Sequence, residues 1–402
     1  MTDTRSAPAP TRELRQARLG VAACFFLNAV FYANVVPRLP EIKAELGLSN
    51  ASLGAALAAL PLGALVAALA SAPLIRRFTS ARVASFGLVL LGLALWAVAV
   101  APNWPALAAI LFVAGALDAV IDVAQNAHGL RVQRRYGRSI LNSFHGLWSI
   151  GAVCGGLLGS AAAGLGIPLV VHLGVSAVAF GAVALLAFRV MLPGDDDADR
   201  EPEPERPAGS AARAGRRTAV LAMAALAVLG VCGAVVEDAG ASWSALYLRT
   251  ELTAGAALAG LGFVALQGAM TVGRLIGDRV VDRFGQRRVV EAGGALTAAG
   301  MGLALAFPSV PSTLAGFAMA GLGVATLVPA VYHAADELPG LRRGTGLAVI
   351  NWLLRIGFLL SPLVIGVLAD ATSLRVALLA VVVAGLGALL LGRALRPSVA
   401  AG

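Results

Sequence analysis

Charged residues are scarce in this chain of 402 residues. Asp, Glu, Lys and Arg make up 13% of it, whereas a soluble domain carries about a quarter. Hydrophobic residues make up 58%. This balance excludes an ordinary soluble protein and predicts a chain that lies largely within a membrane.

The sequence also lacks the motifs that hold disulfides, metals or nucleotides. Its three cysteines, Cys24, Cys154 and Cys232, fall singly inside long apolar stretches, and their spacing fits neither a disulfide framework nor a metal site. No loop of the type G-x-x-x-x-G-K-[ST] is present, which argues against an ATP-driven pump. We therefore expect buried, structural cysteines and no cofactor.

Long apolar runs are what the sequence has instead. Each is long enough to cross a hydrocarbon layer of about 30 Å as a helix, and the short alternating segments of a membrane β-barrel are not seen. Twelve runs lie at about 17–36, 52–75, 83–101, 105–129, 140–163, 168–190, 218–247, 254–280, 289–307, 310–334, 345–369 and 374–394. The predicted fold class is all-α, a polytopic membrane protein with twelve transmembrane helices.

One polar stretch divides the runs into two groups of six. Residues 191–217 combine seven acidic residues with several prolines and end in arginines, a composition typical of a disordered linker. We predict an N-terminal six-helix bundle at 1–190, a cytoplasmic linker at 191–217 and a C-terminal six-helix bundle at 218–402.

The two halves resemble each other at a constant offset of about 206 positions. The matching pairs are Arg77-Phe78 with Arg283-Phe284, Ala114-Gly115 with Ala320-Gly321, and Ile150-Gly151 with Ile356-Gly357. Six helices per half imply that both repeats insert with the same topology, related by an axis along the membrane normal.

Basic residues mark one side of the membrane. Arginines gather at both termini and in alternate loops, whereas the intervening loops hold only Arg38, Lys43, Arg249 and Arg375. By the positive-inside rule, both termini and the linker are cytoplasmic and the chain lies in the cell membrane. The net charge of +9 is thus topological, and no nucleic-acid partner is expected.

The loop after the predicted eighth helix resembles the signature of the major facilitator superfamily of transporters. It reads G-D-R-V-V-D-R-F-G-Q-R-R from Gly277 to Arg288. The resemblance implies a gating motif that latches the cytoplasmic side, where carboxylates face basic residues and helix ends. Its residues are Asp278, Asp282, Arg283, Gly285, Arg287 and Arg288. Arg76 replaces the acidic residue of the first-half copy, so the latch rests mainly on Asp278 and Asp282.

Two shorter stretches are similar to narrower branches of that superfamily. Asp122-Val123-Ala124-Gln125-Asn126, followed by Asn142-Ser143-Phe144-His145, resembles the fucose-permease-like branch, which implies that Asp122 titrates the coupled proton. The branch's other acid, on the first helix, has no counterpart here. The stretch from Glu237 to Tyr247 resembles a poorly characterised bacterial inner-membrane set, which implies no substrate.

Acidic residues inside the predicted helices are candidates for proton coupling, because a charge at the bilayer centre costs about 2.5 kcal/mol or more. Asp118, Asp122 and Asn126 follow at intervals of four and form one polar stripe. Carboxylates one turn apart repel each other, which favours a shared proton. We predict that Asp122, Glu237 and Asp118 couple protons; a salt bridge to a neighbouring helix is the alternative.

A second group of polar residues is predicted to bind the substrate. Arg355 either clamps an anionic substrate or forms an ion pair with one of the predicted acids. His145 either relays protons, binds a substrate hydroxyl, or is a packing histidine. The predicted substrate-binding residues are Asn28, Tyr32, Asn126, His145, Trp148, Ser149, Asn351 and Arg355.

Two other charged residues are assigned to structure. Arg274 and Asp278, one turn apart near the end of the eighth helix, predict a structural and gating ion pair. Asp238 points about 100° away from Glu237, which predicts a structural partner near the outer surface.

These features predict a secondary transporter that moves a small polar metabolite, such as a sugar, by alternating access. We expect proton coupling, a lipid environment, a monomer and no enzymatic activity. Efflux of drugs or secreted metabolites is the alternative, although Gly151–Ser160 lacks the proline and the last glycine of the drug-antiporter motif. A solute sensor that does not transport, and an intramembrane enzyme, are the remaining alternatives.

Overall fold

We describe the protein from a computed structural model. The residues described are 11–137, 139–194, 216–336, 338 and 345–395. Within them the chain is helical and twelve helices are long and apolar enough to cross a membrane, so the predicted fold class is confirmed. Most of the predicted linker, at 195–215, lies outside the described residues.

The first half contains six membrane helices, three of them with short 3-10 segments. Their bounds are α1, Arg12–Val35, Val36–Arg38 (3-10) and Leu39–Glu45; α2, Asn50–Ala67, Ala68–Ala70 (3-10) and Ser71–Phe78; α3, Ser80–Ala97 and Val98–Val100 (3-10); α4, Trp104–Tyr136; α5, Leu141–Gly164; and α6, Leu169–Phe188.

The second half contains the other six. Their bounds are α7, Arg216–Asp238, a π-helical turn Ala239–Trp243 and Ser244–Thr250; α8, Ala256–Phe284; α9, Gln286–Ala306; α10, Val310–Val324 and Leu327–Asp336; α11, Thr345–Ala371; and α12, Leu374–Ala377, Leu379–Leu391 and Gly392–Ala394 (3-10).

The helix ends define two sides of the molecule. We name the side where α1 begins and α12 ends the termini side, and the opposite side the far side. Side-chain caps start four helices on the far side, where each oxygen accepts a hydrogen bond from the backbone N–H three residues later. The caps are Ser49 for α2, Asn103 for α4, Ser309 for α10 and Ser373 for α12.

The internal repeat is visible in the packing. Gly115 on α4 lies so close to the carbonyl of Leu60 on α2 that a Cβ would overlap it. Gly321 on α10 makes the same contact with the carbonyl of Leu266 on α8. Both members of the second contact lie 206 positions after those of the first, so the two halves pack these helix pairs in the same way.

The loops after α2 and α8 share an unusual backbone conformation. Gly285, after α8, has φ 80° and ψ 145°, which glycine adopts without strain. The equivalent residue after α2 is Thr79, with φ 72° and ψ 151°. A residue with a Cβ is strained in this region of φ and ψ.

A buried polar network joins α1 to α6 near the far side. The Arg38 side chain, 1% exposed, donates to Glu41 Oε2 at 2.7 Å and to the Ile167 carbonyl at 2.9 Å. Its Nη1 lies 3.1 Å from His172 Nδ1, and His172 Nε2 lies 2.8 Å from Asn34 Oδ1. Since arginine only donates, Nδ1 accepts, and the His172 proton is on Nε2.

The two halves meet on the far side, mainly through α2 with α11 and α5 with α8. Asp370 at the end of α11 accepts hydrogen bonds from the backbone N–H groups of Asn50, at 2.9 Å, and Ala51, at 2.8 Å, at the start of α2. Gly164 at the end of α5 packs against Ala257 at the start of α8. The molecule is therefore closed on this side.

Candidate functional site

A cavity of about 440 Å³ lies between the halves. This volume suits a small-molecule ligand. Its walls come from α1 to α5 in the first half and from α7, α8, α10 and α11 in the second. The polar lining residues are Asn28, Tyr32, Asp118, Trp148, Glu237, Asp238, Ser242, Gln267, Arg274, Tyr332, Asn351 and Arg355.

The cavity opens towards the termini side. Asn351 lines the cavity at this end, Asp122 and His145 lie between the cavity and that side, and all three are exposed. On the far side of the cavity, Gly54 on α2 packs against the backbone of Pro362 on α11 and the indole of Trp243 on α7. We name these three residues the far-side gate.

Asn28 joins two other predicted site residues. Its Nδ2 donates to Asp118 Oδ1 at 2.8 Å, and its Oδ1 accepts from Trp148 Nε1 at 3.0 Å. Asn28 is 4% exposed. Three predicted residues, from α1, α4 and α5, thus form one hydrogen-bonded chain along the cavity wall.

Three further predicted residues lie at the mouth rather than in the lining. Asp122 Oδ1 accepts from Asn126 Nδ2 at 3.0 Å and from Gln125 Nε2 at 3.3 Å. His145 lies within electrostatic reach of Asp122, and its ring meets that of Phe25 edge-on at 5.1 Å. Because they are exposed or half-buried, these groups are in contact with solution in this conformation.

Ser149 does not reach the cavity lining. It is 4% exposed, and its hydroxyl donates to the His145 carbonyl of its own helix at 3.2 Å. Ser149 follows the predicted site residue His145 by four positions, which is one helical turn. That spacing is satisfied here by a hydrogen bond within the helix.

Glu237 forms an ion pair across the second half. Its Oε2 lies 3.8 Å from Arg274 Nη2 on α8. The prediction that Arg274 pairs with Asp278 is wrong: the long Arg274 side chain extends into the cavity instead, where Glu237 lies. Asp278 itself is exposed.

Arg355 brings a guanidinium group to the cavity wall. No carboxylate of the described residues lies within 4.0 Å of it, although Asp118 and Asp122 are within electrostatic reach. On α8, Gln267 is 2% exposed and its Nε2 has no hydrogen-bond partner in the described part of the chain. These two side chains offer free donors to a ligand.

Asp238 also lines the cavity, next to the far-side gate. Its Oδ1 accepts from Ser242 Oγ at 2.8 Å. Its Oδ2 is fully buried and has no donor among the described residues. The cavity wraps around α7 and reaches both Glu237 and its neighbour, which helical spacing alone does not reveal.

The predicted gating motif surrounds the loop between α8 and α9 on the termini side. Asp278, Asp282 and Arg288 are exposed. The Arg283 guanidinium lies 5.4 Å from the ring centre of Phe284, and Arg287 donates to Glu291 at 2.8 Å. Within the described ranges, these residues make no ion pair with the first half, as expected where the two halves are apart.

Comparison with protein families gives one match over nearly the whole chain. The profile of the Major Facilitator Superfamily matches residues 21–237 and 238–401. An uncharacterized MFS-type transporter of Yersinia pestis is 30% identical over 354 residues, which cover 88% of this chain and 89% of that protein. An uncharacterized transporter of Sinorhizobium fredii is 29% identical, over 89% of this chain and 92% of that protein.

Solved structures share the fold. The nucleoside transporter NupG has a TM-score of 0.73 at 12% identity, over 94% of this chain and 98% of its own. A bacterial homologue of the human lysosomal transporter Spinster, inward-facing and occupied, has a TM-score of 0.73 at 16% identity, over 95% and 98%. FucP in the outward conformation has a TM-score of 0.62 at 17% identity, over 96% and 100%. At these identities the likeness concerns the fold alone.

Proposed function

Because the chain belongs to the major facilitator superfamily of membrane transporters, we propose that it moves a small polar metabolite across the cell membrane by alternating access, coupled to protons. It is a transporter and not an enzyme. The two halves would close in turn on either side of one central site.

The central cavity is the observation that carries this proposal. It takes walls from both halves, opens towards the termini side and ends at the far-side gate. A solute bound there contacts both halves at once, so its binding energy can differ between the two arrangements of the halves. That difference is what alternating access requires.

Acidic groups support proton coupling. Asp118 and Glu237 line the cavity, and Asp122 lies at its mouth. Carboxylates held in the membrane interior usually serve proton or ion pathways. FucP of E. coli, which shares the fold, is named as a fucose:proton symporter. We assign the same kind of coupling to this chain on the strength of its own acids.

The lining supports a solute with both donor and acceptor groups. Arg355 and Gln267 offer donors on the second half, whereas the Asp118 carboxylate offers an acceptor on the first. Tyr32 and Trp148 add aromatic surface between them. A polar metabolite with hydroxyl groups, such as a sugar, would satisfy these groups better than a hydrocarbon would.

Apolar lining residues favour efflux as the second candidate. Leu57, Leu60, Leu91, Phe263 and Phe358 contribute to the same walls. An amphipathic drug or secreted metabolite would bury its apolar part against them. Efflux would then exchange such a compound for protons.

The membrane and the orientation are part of the proposal. Arginines are concentrated on the termini side, and on the positive-inside rule we assign both termini to the cytoplasm. The far side then faces outwards, and the cavity opens to the cytoplasm. We propose a monomer, because each chain forms a complete cavity by itself.

Solute-induced proton movement in proteoliposomes tests the proposal. Sugars, polyols, organic acids and several drugs are added one at a time while the internal pH is recorded, with Asp122→Asn as the coupling variant and Glu13→Gln, an exposed acid outside the cavity, as its control. We expect one polar class to move protons in the wild type and the control but not in Asp122→Asn. A response to drugs alone would establish efflux, and exchange without proton movement would refute the coupling.

A further inference from the structure

Asp238 has one carboxylate oxygen that the surrounding protein does not satisfy. Its Oδ2 is enclosed and receives no hydrogen bond in the described part of the chain, whereas Oδ1 accepts from Ser242. The hydroxyl of Ser361 on α11 lies beside this carboxyl and is its nearest further donor, but the arrangement falls outside hydrogen-bond geometry. A buried charged oxygen without a donor is more unfavourable than a protonated one, whose O–H can donate to the adjacent Ser361 hydroxyl.

No positive charge faces this carboxyl directly. Among the described residues, Glu237 on α7 and Tyr32 on α1 interact electrostatically with it, and Ser361 on α11 lies beside it. Arg274 on α8 and Arg355 on α11 line the same cavity. Arg274 on α8 lies against Glu237, and no basic group of the described residues lies within 4.0 Å of Asp238. The surroundings therefore favour the neutral acid while the far side is closed.

Asp238 also lies next to the far-side gate. It immediately precedes the π-helical turn Ala239–Trp243, and Trp243 at the end of that turn is a gate residue. On α11, Ser361 precedes the gate residue Pro362. Opening the gate would therefore separate α7 and α11 from α2 directly beside this carboxyl, and would expose it to the far-side solution.

We propose that Asp238 is the residue that carries the transported proton. The inference rests on the proposed function and assigns its coupling to a particular group. With the far side open, a proton from that solution forms the O–H bond at Oδ2 and the carboxylate becomes neutral. The neutral acid permits the gate to close. The O–H bond breaks when the proton passes to the cavity, which is open to the termini side.

A route for the released proton follows from the neighbouring groups. Tyr32 lies within electrostatic reach of both Asp238 and Asp118. Asp118 lies one helical turn from Asp122, which is exposed at the mouth. In this proposal Asp238 forms the start of the route, and Asp118 and Asp122, the acids predicted from the sequence, form its exit.

The test needs no substrate, because the proton itself is the ligand. Spin labels are attached to Leu165→Cys and Phe307→Cys, exposed positions on the far-side loops of the two halves, in a chain whose native cysteines are replaced by alanine. Distances between the labels are measured from about pH 5 to about pH 9. The variants are Asp238→Asn, which mimics the neutral acid, Asp238→Glu, and Glu45→Gln, an exposed far-side acid.

We expect the wild type to shift from far-side closed towards far-side open as the pH rises, by about tenfold in the population ratio. Glu45→Gln and Asp238→Glu should shift likewise, with a displaced midpoint for the glutamate. Asp238→Asn should stay closed at every pH. A full pH response in Asp238→Asn would overturn the inference and leave proton coupling intact. No response in the wild type would instead contradict the proposed coupling itself.

A second measurement covers the case in which Asp238→Asn does not fold. Infrared spectra of the wild type, Asp118→Asn and Ser361→Ala report the C=O stretch of protonated carboxyl groups. We expect a band at neutral pH that persists in Asp118→Asn, shifts in Ser361→Ala and disappears at alkaline pH. A spectrum unchanged by Ser361→Ala would place the proton elsewhere and overturn the assignment.

Discussion

At the scale of single residues, Thr79 is a β-branched residue with a strained backbone at positive φ. Its backbone has the conformation that the equivalent Gly285 adopts freely. Such strain costs about 1–3 kcal/mol in the folded state. Replacement by glycine removes it, but the greater conformational entropy of glycine in the unfolded chain offsets part of the gain. We expect Thr79→Gly to raise Tm by about 2 °C, measured by thermal unfolding in detergent, and Gly285→Ala to lower it. Equal Tm values for Thr79→Gly and the wild type would show that the loop relaxes the strain.

Arg38 is the most buried charge of the far side. Its guanidinium satisfies Glu41, the Ile167 carbonyl and His172 together. Replacing one member of a buried pair leaves the others unsatisfied, at a cost of about 3 kcal/mol. We therefore expect Arg38→Met to lower Tm by several degrees. Arg249→Met, which removes an exposed arginine bonded to one carbonyl, serves as the control and should stay near wild type.

Asn28 connects Asp118 and Trp148 in the cavity wall. In Asn28→Leu both partners lose their hydrogen bond, and the cavity loses a polar group. We therefore expect uptake of the transported solute to fall by about tenfold, which corresponds to about 1.4 kcal/mol. Ser149→Ala should retain near-normal uptake, since that hydroxyl is bonded within its own helix. Equal losses in both variants would indicate that neither contacts the solute path specifically.

Some cavity residues could be predicted from the sequence, and others could not. Asp118, Glu237 and Arg355 stand out because a charge in the membrane interior is costly and usually faces a cavity or a partner. Gln267 is a single neutral amide in an apolar helix, and nothing in the sequence tells which face it lies on. Arg274 was paired with the wrong carboxylate because helical spacing describes neighbours on one helix, not across two.

At the scale of helices, Asp370 acts as a cap that one half provides for the other. Its carboxylate binds the first two N–H groups of α2, an interaction worth about 1 kcal/mol. We expect Asp370→Ala to raise the far-side-open population about fivefold, measured with the labels at Leu165 and Phe307. Glu251 provides the control, because it binds the Leu374 N–H within one half. Glu251→Ala should lower Tm without shifting the distances.

Helix number was predictable, but helix length was not. The apolar run of α4 was predicted at 105–129, whereas the helix continues to Tyr136 and ends at Gly137 in a left-handed conformation. Hydropathy records only the segment inside the hydrocarbon layer. The polar last turns of a helix, and the π-helical turn of α7, leave no apolar pattern to detect.

At the scale of the whole molecule, carboxylate contacts on the two sides should have opposite effects on the far-side-open population. Asp370 holds the far side closed, and the Asp278 motif is expected to hold the termini side closed in the other arrangement. Asp278→Asn should therefore reduce the far-side-open population, opposite to Asp370→Ala. The double variant should return near the wild-type distribution if both act on one two-state equilibrium. A double variant that follows either single variant would contradict that equilibrium.

The sequence predicted two similar halves but not which side is closed. The offset between the repeats relates the helices of one half to those of the other, and Gly115 and Gly321 confirm it in their packing. The relative tilt of the halves depends on contacts such as that between Gly54 and Pro362. These contacts pair residues without sequence similarity, so a repeat within one chain cannot reveal them.

The one-sided opening of the cavity has an electrical consequence. A cavity of about 440 Å³ that is open to the termini side brings the potential of that solution deep into the membrane. Most of the transmembrane voltage then falls across the closed part of the molecule, which begins at Gly54, Trp243 and Pro362 and extends to the far side. A charge that crosses this closed part exchanges about 2.3 kcal/mol with the field for every 100 mV. The closed part is therefore the place where the membrane voltage acts on transport.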